Sequence, residues 1–403
     1  MAKCTPYSPD IVNKTRLETC LELYSTDLLD DSEVFLELKN NAFYIYGGSH
    51  FGKALVEYFS EINILPAAVL DRAPKFEHYL GVPVLPFEQG NFDHKLPVLV
   101  SILGFDGVEQ AIEKAGFEQI IPTLEVFKLF PQALKILNQC GVLWMQPPLD
   151  KQVDERSCDA LQSLWSDSSS LNLFNKIINY RKSPSQSSYP LPEGYEMYFP
   201  TDIPSLYAYE RLRVLDVGIF DGDTFAGFYE RYGTCIEKYS GVEVSTKNIA
   251  KLQTRLKNMG LSESFIEVER LAVGLPEGSA LKVIENDSAS TVELIDSNAI
   301  ASCDSAVVVQ AGDLGRLLVK TQCNILKMDI EGADYDALIQ AKTYISNHTP
   351  TLALSLYHRP QDLWAIPLLI ESFAPNKYNY YLRQEGHWLL ETQLYAVPKA
   401  MVV

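Results

Sequence analysis

Long apolar runs are missing from this sequence. No stretch of about 18 uncharged apolar residues occurs, and the opening MAKCTPYSPD holds no apolar segment of the kind a secretion leader needs. The expectation is a cytoplasmic protein without membrane insertion. Positive charge is scarce: 34 Lys and Arg stand against 52 Asp and Glu, a formal net charge of −18. Phosphate backbones and anionic membrane surfaces are bound largely through clustered cations, so a nucleic-acid partner is not expected. Paired cysteines are lacking too. The seven cysteines are odd in number, scattered and never spaced C-x-x-C, which argues against a disulfide framework and against a zinc knuckle. What is present is 403 residues with 47% hydrophobic content, too long for one ordinary core, so two domains are expected.

The first organised segment is AFYIYGGSHFGKALVEYFSEINILPAAVLDRAP, in which an apolar run over residues 42–46 meets a glycine turn, then a helix-period stretch, then an apolar run ending at Asp71. Strand, turn, helix and strand in that order build a parallel sheet with a right-handed crossover. Gly47 and Gly52 occupy the first and third glycine positions of a dinucleotide fingerprint, and Asp71 follows about 20 residues on, where a ribose-binding acid belongs. The middle position holds Ser49, whose side chain crowds the approach of a pyrophosphate. Gly47, Ser49, Gly52 and Asp71 therefore form a candidate second nucleotide site, the alternative being that the glycines serve only a tight turn. GVPVLPFEQ and LPVLVSI read as further strands. With its glycine turn, its acid after the second strand and its G-V-P-V segment, the stretch 40–125 resembles Rossmann-like modules fused to sugar-modifying enzymes, which implies a nucleotide or nucleotide-sugar ligand.

Residues 149–192 turn polar and read as two helices followed by the loop SPSQSSYPLP, a surface linker or alternatively a cover over a later site. The expected organisation is a Rossmann-like domain at 1–145, a helical linker at 146–195 and a second domain at 196–403. That second domain opens with RLRVLDVGIFDGDTFAGFYERYG, a strand running into Asp216, then Gly218 and Gly222, then a helix; the next strand, YSGVEVS, carries Glu243 at its end. The spacing D-x-G-x-x-x-G differs from the dinucleotide fingerprint in a way that suits S-adenosylmethionine. That cofactor has no pyrophosphate; it needs room for its methionine moiety, an acid near its ammonium and an acid for its ribose. Asp216 is the expected first acid and Glu243 the second.

Beyond Glu243 the pattern continues as a helix at 247–258, strands at 265–270, 306–309 and 324–329, a helix at 333–342 and a strand at 351–356. It closes with YNYYLRQEGHWLLETQLYAVP, two aromatic-rich strands around a turn at Glu385 and Gly386. The fold class is thus α/β, with two doubly wound domains, the second a class I methyltransferase sheet ending in an antiparallel hairpin. Ligands of open α/β sheets bind beyond the carboxyl ends of the strands. Asp216, Glu243, Asp329 with Glu331, and Tyr357 with His358 all stand at such ends. The competing explanations are that Asp329 and Glu331 cap the next helix and that His358 is a surface histidine anchored by Arg359 and Pro360.

DVGIFDGDTF, ILKMDIEGADYDAL, LALSLYHRPQDLWAIP and WLLETQLYAVP are together similar to the hallmark segments of FkbM-type methyltransferases over residues 196–398, with K-x-D-x-E-G-A at 327–333 the most specific. The usual Asn of the first motif is Phe220 here, which shifts the expected cofactor contacts to backbone amides and to Asp221 or Thr224. The resemblance implies S-adenosylmethionine as cofactor and a hydroxyl of a sugar, glycan chain or natural product as methyl acceptor.

Methyl transfer to oxygen requires alignment and removal of a proton. His358, with a pKa ordinarily near neutrality, is the expected base, oriented by Asp329 or Glu331. A variant assigns Asp329, Glu331 and His358 to a divalent metal that lowers the pKa of the hydroxyl. The other readings are an NAD-dependent sugar oxidoreductase, which Ser49 and the lack of a Y-x-x-x-K helix oppose, and a non-catalytic sugar-nucleotide-binding protein with a degenerate methyltransferase fold. Acceptor specificity is expected in loops such as 285–298. The sequence is silent on oligomeric state.

Overall fold

The computed structural model describes residues 38, 42–139, 152–183, 187–284, 291–294 and 307–401. It divides the chain into two compact units, Met1–Leu149 with Ser183–Ser188, and Asp150–Lys182 with Tyr189–Val403.

In the first unit, β1 (Tyr44–Tyr46), α1 (His50–Glu61) and β2 (Ala68–Asp71) form the expected strand–helix–strand. They are followed by β3 (His78–Tyr79), β4 (Val82–Pro86), β5 (Val98–Val100), α2 (Val108–Lys114), β6 (Ile120–Ile121), α3 (Thr123–Leu129) and α4 (Gln132–Gln139). The sheet order is β3-β4-β2-β1-β5-β6, parallel except for β3. Every residue of β1 and β5 is buried, as in a sheet covered on both faces. Helix α1 packs through Phe51, Leu55, Tyr58 and Phe59, an i, i+4, i+7, i+8 stripe. Its glycine is required by proximity, because a Cβ on Gly52 would stand 1.7 Å from the carbonyl oxygen of Gly47.

The second unit begins with α5 (Glu155–Leu161) and α6 (Ser168–Lys182). These are the helices expected as a linker, and both lie in the second unit. Helix α6 buries Leu173, Phe174, Ile177 and Ile178, an apolar stripe disguised in the sequence by the polar run SDSSS at its start. That run docks: the buried Ser170 hydroxyl accepts the amide of Leu382 at 2.8 Å, and Asp167 pairs with the Arg383 guanidinium at 2.7 Å.

The main sheet comprises β7 (Leu212–Val217), β8 (Ile236–Val242), β9 (Glu267–Glu269), β13 (Ile325–Met328), β14 (Thr351–Ser355), β15 (Tyr378–Gln384) and β16 (Thr392–Pro398). Its order is β15-β16-β14-β13-β7-β8-β9, with β16 antiparallel to both neighbours. The closing hairpin is therefore as expected, although seven residues, 385–391, separate its strands where a tight turn at Glu385 and Gly386 was anticipated. Helices α7 (Asp223–Tyr232) and α8 (Thr246–Asn258) follow β7 and β8, and α9 (Leu314–Thr321), α10 (Asp334–His348) and α11 (Asp362–Phe373) follow later strands. Phe225, Phe228, Tyr239, Leu252 and Tyr395 share one core. The strand expected at 306–309 is β12 (Val307–Gln310), and it lies outside this sheet. It joins β10 (Ala280–Ile284) and β11 (Thr291–Leu294) in a separate antiparallel sheet, order β11-β10-β12. Most of the 285–298 segment expected to govern acceptor choice lies outside the described residues.

Candidate functional site

Beyond the carboxyl ends of β7, β8 and β13 lies a cavity of about 280 Å³. Gly218, Phe220 and Thr224 line it from the turn after β7, Glu243 and Val244 from the end of β8, and Asn248 from α8. Leu271, Ala272 and Val273 add an apolar wall. Lys327, Asp329 and Glu331 come from β13 and its following loop, while Tyr198, Tyr357 and Glu391 arrive from three distant segments.

The turn after β7 depends on its glycines. Gly218 has φ +78°, and a Cβ there would stand 1.9 Å from the carbonyl oxygen of Asp329. Gly222 has φ +80° and abuts the Leu252 side chain at 2.3 Å by the same construction. Phe220, also left-handed at φ 53°, points its amide at Glu243. The Glu243 carboxylate accepts that amide at 3.0 Å and the Ser245 amide at 2.8 Å, so it is fixed at the cavity wall. Burial pushes its carboxyl up, and the two amides offset part of that.

Two residues expected near the cofactor are elsewhere. Asp216 is fully buried and is not among the cavity walls. It faces Lys327, its partner across the parallel β7–β13 pair, with Nζ 2.9 Å from Oδ1, and it accepts the Tyr239 hydroxyl at 2.8 Å. The position expected to meet the cofactor's ammonium is thus committed to an internal ion pair. Asp221 turns towards α8, where Arg255 donates to its carboxylate at 2.8 Å and to its carbonyl at 2.9 Å. Its part is to tie the turn to α8.

On the wall that follows β13, Asp329 is surrounded by donors. Its carboxylate accepts the Tyr198 hydroxyl at 2.9 Å and the Tyr357 hydroxyl at 3.0 Å, and His358 Nε2 lies 3.0 Å away. Burial opposes its charge, but His358, Lys327 and Tyr198 outweigh that and hold the carboxyl well below its ordinary value. Glu331 and Gly332 are successive left-handed residues, φ 55° and 92°, that carry the chain from Asp329 into α10. Neither Asp329 nor Glu331 caps that helix, whose N-cap position is Ala333. The Gly332 amide goes to Asp334 instead, at 3.2 Å.

His358 is not a surface residue, its side chain being 5% exposed. Its Nδ1 lies 3.1 Å from Asp334 and its Nε2 3.0 Å from Asp329, with Glu331 farther at 3.8 Å. Nδ1 is hydrogen-bonded to Asp334, whereas Nε2 is buried beside Asp329 without a hydrogen bond, and the two nearby carboxylates favour the protonated ring. Burial disfavours that charge, but Asp334 and Asp329 hold the pKa well above its ordinary value. A ring held protonated by these carboxylates is poorly suited to the expected role of base. Among the described residues no group of three His, Cys, Asp or Glu side chains is arranged to hold a metal ion.

The sign of the pH dependence follows. A folded-state pKa raised above about 6.5, the unfolded value, gives stability fully present below that value and lost as pH rises through the folded one. His358→Asn should therefore cost more stability at pH 6 than in the alkaline range, in urea titrations at each pH. A pH-independent deficit would contradict the imidazolium.

In the first unit the glycine turn is present, but Asp71 is engaged with it. One carboxylate oxygen accepts the Gly48 amide at 2.6 Å and the other the Ala73 amide at 2.8 Å. Gly47 has φ +114° and packs on Ser101 and Ile102, and Ser49 is exposed at the N-cap of α1.

Tyr198 and Glu391 were missed by reading the sequence. Glu391 sits inside WLLETQLYAVP, and Tyr198 precedes the glycine turn of the second unit; nothing in spacing ties either to Asp329.

No curated protein matches the chain. Among solved structures, a methyltransferase FkbM from Methylobacillus flagellatus KT is similar in fold, with a TM-score of 0.61 at 20% identity, covering 88% of this chain and 90% of that one. An rRNA methylase from Streptococcus thermophilus matches 47% of this chain and 87% of its own at 12% identity and a TM-score of 0.30. Aeropyrum pernix fibrillarin, solved with natively bound S-adenosyl-L-methionine, matches 47% and 67% at 12% identity and a TM-score of 0.25. The model of the methyltransferase FkbM domain matches residues 216–386, from the end of β7 to the turn before β16. The match to a methyltransferase FkbM domain thus falls within the second unit.

Proposed function

We propose that this protein is an S-adenosylmethionine-dependent O-methyltransferase acting on a hydroxyl of a sugar, glycan or natural product. The observation that carries the reading is that one cavity joins the fixed carboxylate of Glu243 to the tyrosine-ringed carboxylate of Asp329. The residues fit the cofactor. Glu243 stands where ribose hydroxyls would be bound, Gly218 and Phe220 line the same cavity from the turn after β7, and Leu271, Ala272 and Val273 offer an apolar surface for the base. The cofactor, when bound, supplies an electrophilic methyl group on a sulfonium.

The chain's own residues supply the acceptor end. Tyr198, Tyr357, Asp329 and Glu331 present hydroxyls and carboxylates, which suit a polyol. Lys327 lines the same space but is paired with Asp216, so it offers little to an anionic acceptor. A neutral sugar or natural-product hydroxyl is accordingly the acceptor class. Fixing it against this wall lowers the entropic part of the barrier.

Calorimetric titration with S-adenosylhomocysteine tests the reading. Wild-type protein should bind in the micromolar range. Glu243→Ala, losing two charge-assisted hydrogen bonds, should bind about 100-fold more weakly. A folded wild type that does not bind would leave a non-catalytic protein as the better description.

A further inference from the structure

Three carboxylates wall the acceptor end of the cavity, and they differ in what already occupies them. Asp329 holds hydrogen bonds from Tyr198 and Tyr357 and the close contact from His358, which leaves it a weak proton acceptor. Glu331 is 41% exposed and stands 3.8 Å from His358 Nε2; burial pushes its carboxyl up and His358 opposes that, but its side chain opens to solvent. Glu391 differs from both. It enters from the loop between β15 and β16 on a left-handed residue, φ 55°. Its two side-chain contacts are long, the Tyr357 hydroxyl at 3.4 Å and Gln393 Nε2 at 3.4 Å. The loop nevertheless fixes its stem: the Glu385 amide donates to the Glu391 carbonyl at 2.9 Å, and a Cβ on Gly386 would stand 2.9 Å from Glu391 Cγ.

Building on the methyl-transfer reading, we propose that Glu391 is the catalytic base, taking the proton of the acceptor hydroxyl at the cavity wall. The charged and titratable groups around it are Asp329 and Lys327 from β13, His358 and Tyr357 after β14, and Glu385 at the end of β15. Burial comes first and the Asp329 charge second in pushing the Glu391 carboxyl up, to about 8, against the opposing pull of His358 and Lys327. A base so poised is matched to work near neutral pH. In the step, the acceptor oxygen forms a bond to the methyl carbon and its proton passes to Glu391. The bond from that carbon to the sulfonium sulfur breaks, its electron pair staying on the sulfur. The products are a methyl ether, a neutral thioether and a protonated Glu391, which returns its proton to solvent.

The test uses the full chain and Glu391→Gln, a near-isosteric change that removes the proton acceptor. Calorimetry with S-adenosylhomocysteine should give the same affinity within about twofold, since none of the hydrogen bonds that fix Glu243 involves Glu391. In protein labelled with ¹³C at glutamate carboxyls, the NMR resonance missing from Glu391→Gln should titrate in wild type near pH 8. Transfer of labelled methyl to a panel of methyl glycosides should fall about 10²- to 10⁴-fold in kcat/KM, and the residual rate should lose the rise with pH that wild type shows below 8. A resonance titrating below pH 6, transfer retained within threefold, or a pH-dependent limb that disappears in Asp329→Asn but persists in Glu391→Gln would each overturn the proposal. Failure of wild type to bind S-adenosylhomocysteine would instead overturn the underlying reading, and this proposal with it.

Discussion

Lys327→Met should destabilise the second unit by about 3–5 kcal/mol, the usual cost of leaving a buried charge without its partner. Lys327 and Asp216 have side chains 5% and 0% exposed, their charged atoms are 2.9 Å apart, and the lysine also donates to the Gly218 carbonyl at 2.8 Å. Removing the cation leaves Asp216 with the Tyr239 hydroxyl alone. Its carboxyl, already raised by burial against the pull of Lys327, would rise further. A group whose folded pKa exceeds its unfolded value, about 3.9 for Asp, contributes stability that is lost as pH climbs. The deficit should therefore widen between pH 4 and pH 7. The double variant Asp216→Leu/Lys327→Met should recover most of the loss, because replacing both buried partners by apolar groups is often close to neutral. Urea midpoints at both pH values decide the matter; a single variant as stable as wild type at pH 7 would mean that water reaches Asp216.

Gly218→Ala should abolish cofactor binding and cost at least about 2 kcal/mol of stability. A left-handed non-glycine residue alone costs about 1–2 kcal/mol. Here the obstacle is also backbone: the added methyl lies 1.9 Å from the carbonyl oxygen of Asp329, whose amide is bonded to the Val217 carbonyl at 3.0 Å. Relief requires β7 and β13 to part at the level of the cavity, which displaces Asp329. Gly222→Ala is the internal control. It carries the same backbone strain, φ +80°, but meets only Leu252 Cδ1, the end of a flexible side chain. Thermal melts and titration with S-adenosylhomocysteine should rank Gly218→Ala well below Gly222→Ala in both properties. Equal effects would show that strain alone, and not the contact with Asp329, sets the requirement.

Much of the second unit was legible because its information is local. A strand ending in Asp216, a left-handed glycine, and a second strand ending in an acid are spelled within 30 or so residues, and the structure has β7, its turn and β8 there. Glu243, Asp329 and Glu331 could be found as acids at strand ends, and all three line the cavity. What failed was partner assignment. Asp216 is read correctly as the end of a strand, yet its use depends on Lys327, 111 residues away and adjacent only through sheet order. His358 was assigned a base's role from its ordinary pKa, but Asp334, whose carboxylate meets the other ring nitrogen, belongs to the first turn of α10 and reads there as helix chemistry. Polar composition misled at 149–192, where Asp167 and Ser170 serve a buried guanidinium and not solvent. The small antiparallel sheet was missed because β12 reads as another core strand, and only its pairing with β10 tells the two sheets apart.

The ring of Tyr198 and the carboxylate of Glu391 bracket the cavity, yet both fall outside the stretch that the family model recognises, 216–386. A fragment trimmed to those borders would start inside β7, and it would lack β16, the strand that joins β15 to β14. Tyr198 is moored by its amide to Glu385 at 3.1 Å, and its neighbourhood is anchored by Asp202 on Arg383 at 2.8 Å. The boundary of recognisable ancestry and the boundary of the working unit are therefore different. An excisable piece must reach back to Asp167 and forward to Pro398, so any swap of this domain between proteins has to carry both flanks with it.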